Sequence, residues 1–284
     1  MPKTFVVTGS TSGIGLAVAA QLCGTGAFVL GVGRSPERAA AAEDRIKAAF
    51  PQADVHYLIA DLSLQAQVRR LASHISAELA SRHLTALDGL INDAATFTWR
   101  RSQTSEGFET QWAVNHLALF LLTHELMPLL EKSTAARVVT VSSGSHYGAR
   151  LRWNDLQLRR GYNAYRAYGQ TKLCNVIFTM ELRRRLGLQS PVQAFAADPG
   201  LVHTGLGLKG NPALVRWFWG WWSKRGLSPE ESARGIVFLA TDASALGRSE
   251  VYWRRGRPVP PDPVVLDPQQ GERLWDISAA MCGV

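Results

Sequence analysis

Thr8-Gly9-Ser10-Thr11-Ser12-Gly13-Ile14-Gly15 and, well downstream, Tyr168-Gly169-Gln170-Thr171-Lys172 decide the reading of this chain. The first stretch leaves an apolar run, Phe5-Val6-Val7, and turns into a helix whose free N-terminal amides favour a negative charge such as a pyrophosphate. Gly9, Gly13 and Gly15 let backbone approach closely, and Ser10, Thr11 and Ser12 add hydroxyl donors. Alone, such a turn is weak evidence, because glycines at strand-to-helix junctions often serve only backbone geometry. The second stretch sets a phenol and an ammonium four residues apart, on one helix face. Ser143 lies 25 residues before Tyr168.

Working outward, short apolar runs alternate with amphipathic ones: 4–8, 27–32, 54–60, 87–91, 137–141 and 192–197 read as strands. The stretches 13–23, 37–50, 64–82, 108–130 and 164–186 read as helices. Strands that are apolar throughout and separated by helices require a parallel sheet covered on both faces. The expected fold is α/β, a doubly wound Rossmann domain of about seven parallel strands, with ligands beyond the carboxyl ends of the strands. One domain, 1–253, is expected to bind the dinucleotide and carry the chemistry. Residues 254–284 form a C-terminal tail in which Asp267-Pro268 opens a short helix through Leu274-Trp275. Prolines 258, 260, 261 and 263 are expected to forbid regular structure before it.

Composition narrows the classes. With 46% hydrophobic and 19% charged residues among 284, the chain is globular. The +8 net charge comes from arginines scattered along the chain rather than gathered in one arm, so nucleic acid is not an expected partner. Cys23, Cys174 and Cys282 are far apart and odd in number, which fits neither a disulfide framework nor a metal site, and the expected location is cytoplasmic. A strand is expected almost at once, with no leader, and no apolar run is expected to approach the roughly 18 residues that span a bilayer.

The spacing T-G-x-x-x-G-x-G together with Tyr-x-x-x-Lys resembles the short-chain dehydrogenase/reductase family. Gly107-Phe108-Glu109, Val114-Asn115-His116-Leu117, Phe120-Leu121-Leu122-Thr123 and the long gap from Ser143 to Tyr168 look like its retinol-dehydrogenase-like branch. Tyr168 through Asn175 is also similar to light-dependent protochlorophyllide reductases. The resemblance implies Tyr168 as general acid/base, Lys172 as its electrostatic partner and ribose ligand, Ser143 rather than Ser142 on the substrate oxygen, and Asn115 ordering a relay water. It further implies that Asp61 and Leu62 contact adenine, that Asn92 caps the fourth strand near the adenosine, and that Pro199, Gly200, Val202 and Thr204 lie over the nicotinamide. His116 and His146 read as ordinary hydrogen-bonding residues, with His146 a candidate beside the substrate.

Where an acid at the end of the second strand would grip both ribose hydroxyls of NAD, this chain reads Gly33-Arg34-Ser35. Arg34 can pair with a 2′-phosphate, with Ser35 and Arg38 in support, so NADP(H) is expected over NAD(H). The chain departs from the family's Asn-Asn-Ala-Gly with Asn92-Asp93-Ala94-Ala95, which places a carboxylate near an anionic cofactor. Asp198, before Pro199, is a second departure, of open meaning. A unit charge about 4 Å away, at an effective dielectric of about 20, is worth roughly 4 kcal/mol or about three pKa units. Lys172 is therefore expected to bring the Tyr168 hydroxyl into range for proton transfer.

Residues 201–227 hold Trp217-Phe218-Trp219-Gly220-Trp221-Trp222. They read as a lid over a large lipophilic substrate, with Trp217 and Trp221 as contacts; a dimer or packing surface and an interfacial membrane helix are the alternatives. The leading function is reduction of a lipophilic ketone or aldehyde, or oxidation of the alcohol. Reduction of an activated C=C bond and a catalytically silent dinucleotide sensor are the rivals. A homo-oligomer built on helices 108–130 and 164–186 is implied by the resemblance.

Overall fold

In a computed structural model, residues 2–202 and 226–284 are described. The chain runs β1 (Thr4–Thr8), α1 (Gly13–Gly24), β2 (Phe28–Gly33), α2 (Pro36–Ala49), β3 (Asp54–Ile59), α3 (Gln65–Ser81), β4 (Gly89–Asn92), α4 (Thr110–Leu130), β5 (Ala136–Val141), α5 (Ala164–Leu186) and β6 (Val192–Asp198). It continues with α6 (Pro229–Thr241), β7 (Tyr252–Arg254), β8 (Arg257–Pro258) and α7 (Pro268–Cys282). The sheet order is β3-β2-β1-β4-β5-β6-β7-β8. Strands β1 to β7 pair in parallel and β8 closes the edge antiparallel to β7. This is a Rossmann-type doubly wound sheet, and its order reverses between β1 and β4, where such folds open a crevice for ligands.

Period-two alternation in β1 explains the two layers. Phe5 and Val7 point to one face, packing with Leu16, Ile46 and Ile236 under α1, α2 and α6. Val6 points to the other, joining Leu71, Phe120 and Val176 under α3, α4 and α5. α6 starts where Ser228 and Glu231 form a reciprocal capping box with Pro229 at the first helical position, as the local sequence requires.

Three sequence readings need correction. Pro258 does not forbid a strand, because it sits at the sheet edge, where a missing N–H removes no ladder bond. The last helix runs to Cys282 rather than stopping near Trp275. Thr110–Leu130 does have the length and apolar composition to cross a membrane, and 67% of its most apolar window is buried inside the protein, as in a core helix.

α7 packs across α4 and α5. Trp275 stacks on Phe178 at 5.9 Å and 14° and meets Phe120 edge-on at 5.1 Å, with the Arg185 guanidinium over its ring at 4.4 Å. The helices implied as subunit contacts are thus partly covered by the chain's own C-terminus. Beside Trp275 an apolar hollow of about 170 Å³ remains, lined by Phe120, Met127, Leu182 and Leu186.

Candidate active site

The carboxyl ends of β1, β2, β4, β5 and β6 open on one cleft of about 1340 Å³. Gly9, Thr11, Ser12, Gly13 and Ile14 line it, and so do Arg34, Arg38, Asp61 and Leu62. Ser143, Tyr168 and Lys172 come from the other side, joined by Pro199, Gly200 and Val202. The fold therefore gathers most of the sequence-derived residues. Thr204, Trp217 and Trp221 lie outside the described residues.

The glycines let the turn close tightly. Gly9 has φ +70°, and a Cβ there would meet Ala94 Cα at 2.8 Å. At Gly15 a Cβ would sit 2.7 Å from Gly9 O and 2.7 Å from the Asp93 carboxylate, and at Gly33 it would meet Thr11 at 2.3 Å. Their missing side chains thus admit neighbouring protein atoms, and the turn so formed brings Gly9, Thr11, Ser12 and Gly13 to the cleft at the α1 N-terminus.

Several expected ligands turn inward instead. Ser10 Oγ accepts from Val32 N at 2.9 Å and is fully buried, so it ties the turn to β2. Gly15 is covered by Asp93. Ser35 caps α2, accepting from Arg38 N at 3.3 Å and donating to Glu37 at 2.5 Å. Asn92 is buried at the end of β4 and donates to Thr123 Oγ1 at 3.1 Å. His146 does not face the cleft: its ring Nδ1 bonds Ser143 O at 2.8 Å and Nε2 accepts from Asp262 N at 3.2 Å. It fastens the Ser143 loop to the segment before α7.

Asn115 lies in a π-helical turn, Ala113–Leu117, within α4. Such one-residue insertions interrupt the regular ladder and recur at functional sites. Its Oδ1 accepts from Thr96 N at 2.7 Å, while Nδ2 donates to Thr96 O at 3.0 Å and to Thr171 Oγ1 at 3.2 Å. Asn115 thus clamps the loop after β4 to α5. Lys172 Nζ donates to Val141 O at 2.9 Å, and Ser142 Oγ donates to Lys172 O at 2.8 Å. Ser143 faces the cleft, where its Oγ accepts from Ser145 N at 3.2 Å. That leaves its hydroxyl hydrogen for a substrate oxygen.

The electrostatics correct one expectation. Lys172 Nζ lies 5.6 Å from the centroid of the Tyr168 ring. Burial, reinforced by the Asp93 and Asp198 carboxylates, holds the Tyr168 hydroxyl well above its ordinary value. Two carboxylates and desolvation outweigh one ammonium here. Lys172 is itself pushed down by burial against the pull of the same carboxylates, and Asp93 is pushed up by burial against Lys172 and the Gly15 amide.

Two features escaped the sequence reading. An aromatic wall follows β4: Phe97 packs against Tyr165 at 5.3 Å and Tyr168 at 5.9 Å, and Trp99 meets Tyr165 edge-on at 6.0 Å. The signal was present, because residues just past the end of a parallel strand face the ligand side and Tyr165 lies one turn before Tyr168. The second feature is the anchor at Asp198. Its Oδ1 accepts from Gly200 N at 2.8 Å and its Oδ2 from Tyr252 Oη at 2.9 Å, with Arg254 Nε 3.4 Å away. Asp198 thereby fixes the Pro199-Gly200 turn that lines the cleft.

The model of the short chain dehydrogenase family matches residues 3–213. The chain belongs to that family. It is 33% identical to retinol dehydrogenase 14 of Mus musculus, over 99% of this chain and 86% of that protein. Polyprenol dehydrogenase of Mus musculus is 35% identical, over 96% of this chain and 82% of that one. A solved structure of an uncharacterized protein from Mycobacterium Paratuberculosis superposes with a TM-score of 0.77 at 31% identity, covering 100% of this chain and 96% of that one. These similarities place this short-chain dehydrogenase in the retinol-dehydrogenase-like branch of an oxidoreductase family that binds a nicotinamide cofactor.

Proposed function

We propose that this short-chain dehydrogenase is an NADP(H)-dependent reductase of lipophilic or aromatic ketones and aldehydes, reversible toward the alcohol. One observation carries the reading: a single cleft holds the glycine turn at Gly9 and Gly13, the Ser143, Tyr168 and Lys172 set, and the wall of Phe97, Trp99 and Tyr165. The residues fit a nicotinamide dinucleotide, which when bound supplies or accepts the hydride. The α1 N-terminus favours its pyrophosphate, and Arg34, just after β2, and Arg38, in the first turn of α2, line the cleft for a 2′-phosphate. Ser143 donates a hydrogen bond to the substrate oxygen. Tyr168, held protonated by its surroundings, gives that oxygen its proton. Lys172, docked on Val141 O, keeps a cation beside the Tyr168 ring.

The substrate class rests on the aromatic wall and on the lipophilic alcohols in the names of the two relatives. Three buried thiols suit a reducing cytoplasm.

The test follows NADPH absorbance with a panel of hydrophobic ketones, aldehydes and enones, with product identification. An alcohol product supports the reading. A saturated ketone from an enone would reassign the chain to C=C reduction, and no NADPH consumption across the panel would contradict it.

Two substitutions probe cofactor recognition. Arg34→Ala is expected to weaken NADPH binding by about 10- to 100-fold, the worth of one charge-assisted phosphate pair, while NADH binding changes less than about threefold. Calorimetry with both cofactors decides this. Asp93→Asn removes a carboxylate that competes with phosphate for the α1 amides. It is expected to tighten NADPH binding roughly fivefold to tenfold near pH 8. Because the Asp93 pKa is raised, the wild-type carboxylate becomes neutral as pH falls, so the gap between wild type and variant should close toward about pH 5. A gap independent of pH would show that Asp93 acts through shape.

A further inference from the structure

Within the π turn, His116 follows Asn115 and is completely buried, yet it does not line the cleft. Its Nε2 lies 2.8 Å from Ser278 Oγ on α7. Ser278 Oγ gives its one hydrogen to Leu274 O at 2.7 Å, one helical turn back, so His116 Nε2 carries the ring hydrogen and Ser278 Oγ accepts it. His116 Nδ1 is buried without a hydrogen-bond partner, and burial keeps the ring neutral.

We propose that Ser278 is a positioning residue for the active site: by accepting from His116 it fixes the π turn that carries Asn115, the side chain that clamps the loop after β4 to α5. The inference rests on the oxidoreductase reading above. A buried donor that loses its acceptor must find another, so removing the Ser278 hydroxyl leaves the His116 N–H unpaired and lets the turn shift. α7 is held firmly enough to serve as that anchor. Met281 O accepts from Gln65 Nε2 at 2.9 Å, Met281 Sδ accepts from Trp112 Nε1 at 3.4 Å, and Arg69 bonds Cys282 O. α7 thus belongs to the catalytic unit, although it contributes no side chain to the cleft lining among the described residues.

Ser278→Ala removes one hydroxyl from a helix that tolerates alanine well, and Ser278→Thr restores it. Two quantities are measured for wild type and both variants: hydrogen exchange of the segment 112–118 without cofactor, and NADPH oxidation with the best substrate. The expected result for Ser278→Ala is at least about tenfold faster exchange in that segment and about tenfold lower kcat, with KM for NADPH within about twofold. Ser278→Thr recovers both quantities. Unchanged exchange, unchanged kcat, or a loss that Ser278→Thr does not rescue would each overturn the proposal. Failure of the oxidoreductase reading looks different: wild type itself would oxidise no NADPH, while exchange would still report whether Ser278 holds the turn.

Discussion

Tyr168→Phe is expected to lower carbonyl reduction at least about a hundredfold while NADPH binds within about twofold of wild type. In the proposed mechanism the hydroxyl is the proton source, and the edge-on packing of Phe97 against the ring at 5.9 Å is kept by phenylalanine. The raised pKa sharpens the expectation. With burial, Asp93 and Asp198 all opposing ionisation, the phenol stays protonated across the neutral range. From about pH 6 to pH 9 no fall in reduction should therefore come from the phenol losing its proton, and oxidation of the alcohol, which needs the phenolate, should climb with pH. The variant should lose both behaviours together. Steady-state rates over that range decide the matter, and turnover within about threefold of wild type would remove Tyr168 from the chemistry.

Gly9→Val should be the most damaging change at the glycine turn. A positive φ of +70° costs an L-residue about 1–2 kcal/mol, and more with a branched Cβ. The new Cβ also meets Ala94 Cα, backbone that cannot swing aside. To make room, the end of β1 must part from the end of β4, where Thr8 Oγ1 accepts from Asp93 N and Ala94 N at 3.1 Å each. A lost alignment worth about 2 kcal/mol is roughly a thirtyfold loss of affinity. Titration with NADPH should show at least that loss, together with a lower thermal midpoint. Wild-type affinity would mean that the turn does not face the dinucleotide.

Much of this architecture is legible in the sequence for local reasons. The glycine spacing, the apolar strands and the Ser228 capping box are each dictated within a few residues, and the structure reproduces those elements. What escaped depends on distant parts of the chain. Ser10 reads as a phosphate donor until β2 is seen to take its oxygen. Lys172 reads as the charge that lowers Tyr168 until Asp93 and Asp198, from two other strands, arrive at the same site. His146 and His116 carry no local sign that Asp262 and Ser278, more than a hundred residues away in each case, will complete their bonds. Pro258 was misread for the complementary reason, since proline breaks an inner strand but not an edge, and only topology separates the two.

The central claim is that the cleft is a nicotinamide dinucleotide site, and calorimetric titration of the purified wild-type protein with NADPH tests it most directly. The account predicts one saturable site per chain, lost in Gly9→Val and weakened in Arg34→Ala. No heat of binding with either NADPH or NADH would contradict it.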